Sequence, residues 1–295
     1  MKEGKTSSSA ISTTPFRALE SIRPAQERVL FDHYAIRFLS GKPKVILNTR
    51  FLISGRLLIK IINELLSRVI PGGTNYVIVR SRYIDDYLNQ CIENGIEQLV
   101  ILGAGYDSRA YRFTALKERV KVFEVDHPDS QSTKKEKVGK IFGGLPGHVI
   151  YVPVDFEKAR LDESLFAHGY DKNLKTLFIW EGVTVYITRQ AVEETLAFMA
   201  NNSGDGSSIV FDYIYKSAID GGIKEAENMK TQAAESSESF KFGITEGAAG
   251  EFLAKRGFDN VINMNAKSLE ERYFKGTDRK SCPFYDIVHA TVKPR

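Results

Sequence analysis

The chain has 295 residues, of which 42% are hydrophobic, 26% charged and 11% aromatic, values that exclude disorder, collagen-like repeats and coiled coil as the main architecture. Lysine and arginine total 41 against 37 aspartates and glutamates, a net charge of +4 with no basic block of the kind that binds nucleic acid. The densest run, Lys134 to Lys140, also holds Glu136 and reads as a solvated helix face.

The first twelve residues, MKEGKTSSSAIS, carry lysines and serines but no apolar segment, so they do not read as a secretory signal. A disordered tail is expected over residues 1–13, followed by one domain over 14–295. Residues 14–95 read as a helical N-terminal cap. A helix is predicted from about Pro24 to Ser40, stopped by Gly41 and Pro43. Leu57, Leu58, Ile61, Ile62, Leu65, Leu66 and Val69 form the stripe of a second helix, broken by Pro71-Gly72-Gly73. A third helix covers about Thr74 to Asn94.

The pattern then changes to short apolar runs separated by helical stretches. Strands are predicted at Gln98–Leu102, Lys121–Asp126, Val149–Val154, Leu177–Trp180 and Ser208–Asp212, with Ala191, Val192, Thr195, Leu196 and Met199 on one helical stripe. This alternation predicts an α/β fold with a mostly parallel sheet covered on both faces. Phe258–Met264 and Phe284–Val292 add two more strands. The polar stretch at 215–250 reads as an insertion, either a plain helical one or a lid over the active site.

The strongest local signal is LVILGAGYDSRAYRF. A buried strand ends in Gly103-Ala104-Gly105, and a helix begins near Ser108. Glycines at the carboxyl end of such a strand let a cofactor approach the backbone closely. As a dinucleotide fingerprint the pattern is incomplete: Ser108 stands where the third glycine belongs, and Tyr106 and Asp107 follow the second. A carboxylate there repels a pyrophosphate and suits a cationic cofactor such as S-adenosylmethionine, unless Asp107 or Ser108 merely caps the helix. Asp126 lies 21 residues beyond Gly105 at a strand end, where a carboxylate either binds ribose hydroxyls or caps the next helix. Glu124 shares its strand parity.

The segments LGAGYDSRAYRF, VFEVDHP, VPVDFEK, IWEGVTVYIT and IVFDY, with RALESIRPAQERVLFDHYA and VRSRYIDDYL before them, resemble the leucine carboxyl methyltransferase family over about residues 14 to 292. The likeness is nearest to its bacterial and archaeal branch of S-adenosylmethionine-dependent O-methyltransferases. It implies a seven-stranded Rossmann-like sheet with an antiparallel last strand and an added helical cap. It also implies S-adenosyl-L-methionine as cofactor, S-adenosyl-L-homocysteine as product and a small-molecule methyl acceptor. Carried over by matching motifs, the cofactor residues are Arg80 for the methionine carboxylate, Gly103 with Ala104 and Gly105 in the glycine loop, Asp126 for ribose, Asp155 and Phe156 beside adenine, and Glu181 near the methionine end.

Three of these positions also carry signals of their own. Arg80 shares a helical face with Ile84, Tyr87 and Leu88, so its charge needs a specific partner, either a ligand carboxylate or a buried ion pair. Arg82 instead lies four residues before Asp86, as a surface pair would. Asp155 ends a strand and either accepts from adenine beside Phe156 or caps a helix. Glu181 ends a buried run and needs a donor, either a cofactor ammonium or backbone amides.

Tyr186 and Tyr213 are the candidates for lining the acceptor pocket, with ordinary aromatic packing as the alternative. Arg109 and Arg112 read as contacts for an acidic substrate or as solvated cations. None of His33, His127, His148, His168 and His289 sits in a catalytic constellation, and His127 suits a capping role. No metal cluster is expected. Two distant cysteines, Cys91 and Cys282, exclude a disulfide framework, and no apolar run reaches the ~18 residues of a membrane span, so a cytoplasmic protein is expected. Other functions compatible with the residues are an NAD(P)-dependent oxidoreductase, a non-catalytic cofactor-binding scaffold and a protein C-terminal carboxyl methyltransferase.

Overall fold

Buried aliphatic runs bounded by glycine and polar turns become the strands of one sheet. The computed structural model describes residues 13–48, 59, 61, 62, 64, 71–156, 160–223, 226, 227, 231 and 239–294. The expected tail up to residue 12, nearly all of the helix expected over 57–69 and part of the insertion at 215–250 lie outside them.

In chain order the helical region comprises α1 (Thr14–Ser21), α2 (Ala35–Phe38), α3 (Gly41–Asn48) and α4 (Gly73–Glu93). The α/β part follows as β1 (Gln98–Leu102), α5 (Arg109–Arg112), α6 (Leu116–Arg119), β2 (Lys121–Asp126), α7 (Pro128–Phe142), β3 (Val149–Pro153), α8 (Leu161–Ala167) and β4 (Thr176–Trp180). A 3-10 turn (Thr184–Tyr186), α9 (Arg189–Asn201), β5 (Ser208–Ile214), α10 (Lys216–Ile219), α11 (Ala249–Ala254), β6 (Phe258–Met264), α12 (Ala266–Tyr273) and β7 (Tyr285–Val292) complete it.

The sheet order is β3-β2-β1-β4-β5-β7-β6. Strands β1 to β5 pair in parallel, and β7 lies antiparallel to both β5 and β6. The seven-stranded sheet with an antiparallel last strand is therefore present. Central β1, β4 and β5 are buried at every residue, as strands covered on both faces must be. Edge strand β6 is only partly buried and leaves Ile262 exposed. Its register shifts between Asp259 and Ile262, where Asn260 takes a left-handed φ of 48°, the mark of a bulge.

Two expectations are corrected. The helix over 24–40 is replaced by α1, which starts ten residues earlier with Pro15 in its first turn, and by the single turn of α2. Between them, side chains take the amides that a helix would have used. Glu20 accepts from the Val29 N–H, and Asp32 accepts from the N–H groups of Tyr34 and Ala35. Pro43, expected beyond a helix end, instead lies in the first turn of α3. The run Lys134 to Lys140 does lie on α7, but Lys134 points inward and pairs with the buried Glu124 at 2.8 Å. Both cysteines are buried and free. No helix among the described residues is long and apolar enough to cross a membrane.

The described ends of the insertion are pinned to the body. Tyr215 bridges Ile244, and the Lys241 N–H donates to the Val185 carbonyl at 2.7 Å.

On the face of the sheet covered by α4, His289 of β7 stacks on Tyr87 with centroids 4.0 Å apart, and its Nδ1 lies 2.7 Å from the Tyr83 hydroxyl. Burial, helped by Arg272, pushes its pKa down from 6.5 to about 4. The folded state keeps the ring neutral while the unfolded state takes up a proton. Stability is therefore retained above pH 6.5 and lost as pH falls from 6.5 toward about 4. His289→Phe should remove that part of the acid sensitivity. Thermal melts of both proteins across this window check it, and parallel slopes would exclude the ring as its source.

Candidate active site

The strand order reverses between β1 and β4, and the crevice at the carboxyl ends of strands at such a point receives ligands. Most of the expected cofactor residues form an arc along that edge. The residue after β1 is Gly103, with φ +65°, and a Cβ there would run into the side chain of Val183 beyond β4. Position 103 thus requires glycine for both backbone and space. The Ala104 N–H donates to the Val125 carbonyl at 3.0 Å, closing the loop against β2.

Asp126, the last residue of β2, holds the far end of the loop. One carboxylate oxygen accepts from the Gly105 N–H at 2.5 Å and the other from the His127 N–H at 2.7 Å. Burial raises its pKa, and the two amides oppose that rise. His127 caps α7, its Nδ1 accepting from the Asp129 N–H at 3.3 Å, and its Nε2 lies 3.8 Å from a carboxylate oxygen of Asp155. Asp155 and Phe156 follow β3, with Phe156 packed against the core. Behind the loop, Glu124 pairs with Lys134 and accepts from the Tyr111 hydroxyl at 2.9 Å. It therefore supports the loop from within and does not face the crevice as Asp126 does.

The other half of the arc is a buried ionic cluster. Arg80 of α4 donates from Nε to Glu181 at 2.9 Å and from Nη1 to Asp212 at 2.7 Å. Asp212 also accepts from the Gly182 N–H at 2.6 Å and from the Tyr76 hydroxyl at 3.3 Å. Gly182 has φ +70°, and a Cβ there would stand 3.3 Å from Arg80 Nη2, so the guanidinium lies against bare backbone. Ser81 donates its hydroxyl to the same Glu181 oxygen at 2.7 Å. The second Glu181 oxygen accepts from Arg109 Nη1 at 2.6 Å. Burial alone would raise the Glu181 carboxyl; the guanidiniums of Arg109, Arg80 and Arg17 outweigh it and hold the group well below the usual carboxylate range.

Arg109 and Arg112 are neither solvated nor open to a substrate. Arg109 pairs with Asp85, Asp107 and Glu181, and Arg112 pairs with Asp85. Asp107 caps its short helix by accepting from the Arg109 N–H at 2.7 Å. Among the described residues three guanidiniums, of Arg80, Arg109 and Arg112, thus meet four carboxylates, of Asp85, Asp107, Glu181 and Asp212. The excess negative charge disfavours a pyrophosphate and suits a ligand with net positive charge. The described residues hold no group of histidines, cysteines and acids arranged for a metal.

The two tyrosine candidates part company. Tyr186 lies in the 3-10 turn five residues after Glu181, with its ring against Phe240 at 5.9 Å. Tyr213 neighbours Asp212 along β5 and so faces the other side of the sheet. Its hydroxyl lies 3.0 Å from Asn263 Oδ1 and 3.1 Å from Asp286 Oδ2, in a partly buried polar cluster. Arg82 pairs with Asp86 at 2.8 Å on the surface. No motif in the sequence marks Asp212, Asp85, Asp107 and Ser81 as partners, or Arg109 as a buried cation. Asp212 did carry a signal, since an acid inside the apolar run IVFDY needs a partner.

The leucine carboxyl methyltransferase family matches residues 10–200. A Bacillus subtilis protein named "Putative S-adenosyl-L-methionine-dependent methyltransferase YktD" is 32% identical over 73% of this chain and 72% of its own length. A Streptomyces coelicolor protein, also named a putative S-adenosyl-L-methionine-dependent methyltransferase, is 35% identical over 44% of this chain and 46% of its own length. In fold, the chain is similar to the crystal structure of a putative methyltransferase from Thermobifida fusca, with a TM-score of 0.58, 12% identity and coverage of 99% of this chain and 97% of that one.

Asp212→Asn should remove one of the two carboxylates that compensate Arg80. A stability loss of about 1.5–3 kcal/mol is expected for a charged hydrogen bond. Urea denaturation measures it; an unchanged midpoint would mean that Glu181 alone suffices for Arg80.

Proposed function

The chain belongs to the leucine carboxyl methyltransferase family, and we propose that it transfers a methyl group from S-adenosyl-L-methionine to an oxygen, of a carboxylate or a hydroxyl, on a small-molecule acceptor. The observation that carries this reading is the placement of Arg80 and Glu181 side by side next to the glycine loop. An amino-acid end needs one cation for its carboxylate and one anion for its ammonium, and this pair supplies both. The excess negative charge of the cluster suits a sulfonium as well, and it argues against the pyrophosphate of a nicotinamide cofactor.

In this reading Arg80 and Glu181 hold the methionine end, and Gly103, Ala104 and Gly105 run beside it. Asp126 takes the ribose hydroxyls, while Asp155 and Phe156 receive adenine. Tyr186 borders the acceptor side. Tyr213 is left out, because its hydroxyl is already engaged across the sheet.

S-adenosylmethionine supplies an electrophilic methyl group on sulfur. The chain's own contribution is orientation and exclusion of water, the main sources of rate in such a displacement. The described histidines serve elsewhere: His148 meets the Ala110 carbonyl, His168 the Ser164 carbonyl, His289 the Tyr83 hydroxyl, His127 caps α7 and His33 stacks on Tyr34. With no histidine base beside Arg80 and Glu181, an acceptor that arrives already anionic is favoured, which places a carboxylate ahead of an alcohol.

Calorimetry should show binding of S-adenosylmethionine and S-adenosylhomocysteine and none of NAD or NADP. Arg80→Ala and Asp126→Ala should each raise the dissociation constant roughly tenfold or more, the value of a lost charged hydrogen bond. Labelled methyl should pass to carboxylic acids before phenols, giving an ester that mild alkali cleaves. A folded protein that binds neither compound would refute the reading.

A further inference from the structure

Arg80 has two duties that conflict. In this structure Nε and Nη1 of its guanidinium neutralise Glu181 and Asp212, and a cofactor carboxylate arriving at Arg80 would be a third anion on the same cation. A guanidinium shared in this way neutralises Glu181 less fully, and a buried carboxylate short of a cation is costly.

Arg109 resolves the conflict. It is 1% exposed, and its position is set by groups other than Glu181. Nε donates to Asp85 at 2.8 Å, Nη1 pairs with Asp107, and Nη2 donates to the Ser81 carbonyl at 3.2 Å. These partners lie on α4 and on the glycine loop, so the fork ties the two together. The same Nη1 reaches Oε2 of Glu181, the oxygen that Arg80 does not use. We infer that Arg109 is a positioning residue of the cofactor site, holding Glu181 charged and oriented through the oxygen that Arg80 does not use, so that Arg80 can also serve the ligand. The inference rests on the S-adenosylmethionine reading given above.

A lysine cannot replace the fork, because one ammonium lacks the planar set of donors that spans Asp85, Asp107, Ser81 and Glu181. The charged groups that reach Glu181 are Arg80 of α4, Arg109 of α5 and Arg17 of α1, with Asp107 of the loop opposing them and Asp212 of β5 sharing Arg80. Without Arg109 the largest of the charges opposing burial is lost, and the Glu181 carboxyl shifts upward against Arg80 and Arg17 alone; a Glu181 that takes up a proton no longer attracts an ammonium.

The test is the dissociation constant of S-adenosylhomocysteine, measured by calorimetry from about pH 5 to about pH 8, for the wild type, Arg109→Gln, Arg109→Lys and Arg82→Gln. The last pairs with Asp86 on the surface, outside the cluster. Wild type and Arg82→Gln should share one pH profile. Arg109→Gln should bind roughly tenfold more weakly at neutral pH, with affinity falling further as pH is lowered. Arg109→Lys should keep the wild-type profile at weaker affinity. A folded Arg109→Gln protein with the wild-type pH profile would overturn the assignment and leave Arg109 a purely structural residue. If Arg109→Gln does not fold, Arg109→Lys with wild-type affinity overturns it equally. A wild type that binds no S-adenosylhomocysteine fails the underlying reading instead, and the two failures are told apart by that first titration.

Discussion

The two oxygens of Glu181, divided between Arg80 and Arg109, are the contact on which the rest of the site depends. A carboxylate at the end of a fully buried strand has little access to water, so it persists as an anion only if cations come to it. Bringing them requires the N-terminal helix α4 to lie against the ends of β4 and β5, and it requires α5 to start immediately after the glycine loop. The ionic cluster therefore joins the helical region to the sheet. An added Cβ at Gly103 or Gly182 would intrude on this arrangement, one meeting Val183 and the other the Arg80 guanidinium.

The N-terminal segment completes the enclosure. Arg17 pairs with Asp32 and donates to the Tyr106 carbonyl at 2.6 Å, reaching the glycine loop from α1. Phe38 stacks on the Tyr106 ring, with centroids 5.6 Å apart and planes 11° from parallel. The helices before the sheet are thus part of the site's wall. Lys134 and Glu124 support the same loop from below, where a buried pair flanked by Tyr111 replaces the apolar packing usual under a loop.

The strands were legible in the sequence because burial on both faces demands continuous apolar runs, and such runs have sharp ends. Gln98–Leu102, Lys121–Asp126 and Phe258–Met264 are observed with the bounds that their patterns imply. The region at 24–40 was not legible in the same way. Its apolar spacing fits a helix, but Glu20 and Asp32 bind the backbone amides that a helix would have used, and a local pattern does not reveal which side chain will do so. Lys134 is a related case: one inward lysine in a charged run looks like its neighbours until its partner Glu124 is placed.

By itself the sequence determined the alternation of elements, the positions of the glycine loop and of the acids that end the strands, and the anomaly of Arg80 on an apolar helix face. These are local properties, set by spacing along one element. Only the tertiary structure decided that Arg80, Glu181, Asp212 and Arg109 share one cluster, and that Tyr213 faces away from it. The physical reason is range. The Arg80–Asp212 pair spans 132 positions of the chain, and which carboxylate neutralises which arginine is settled by how α4 packs on the sheet.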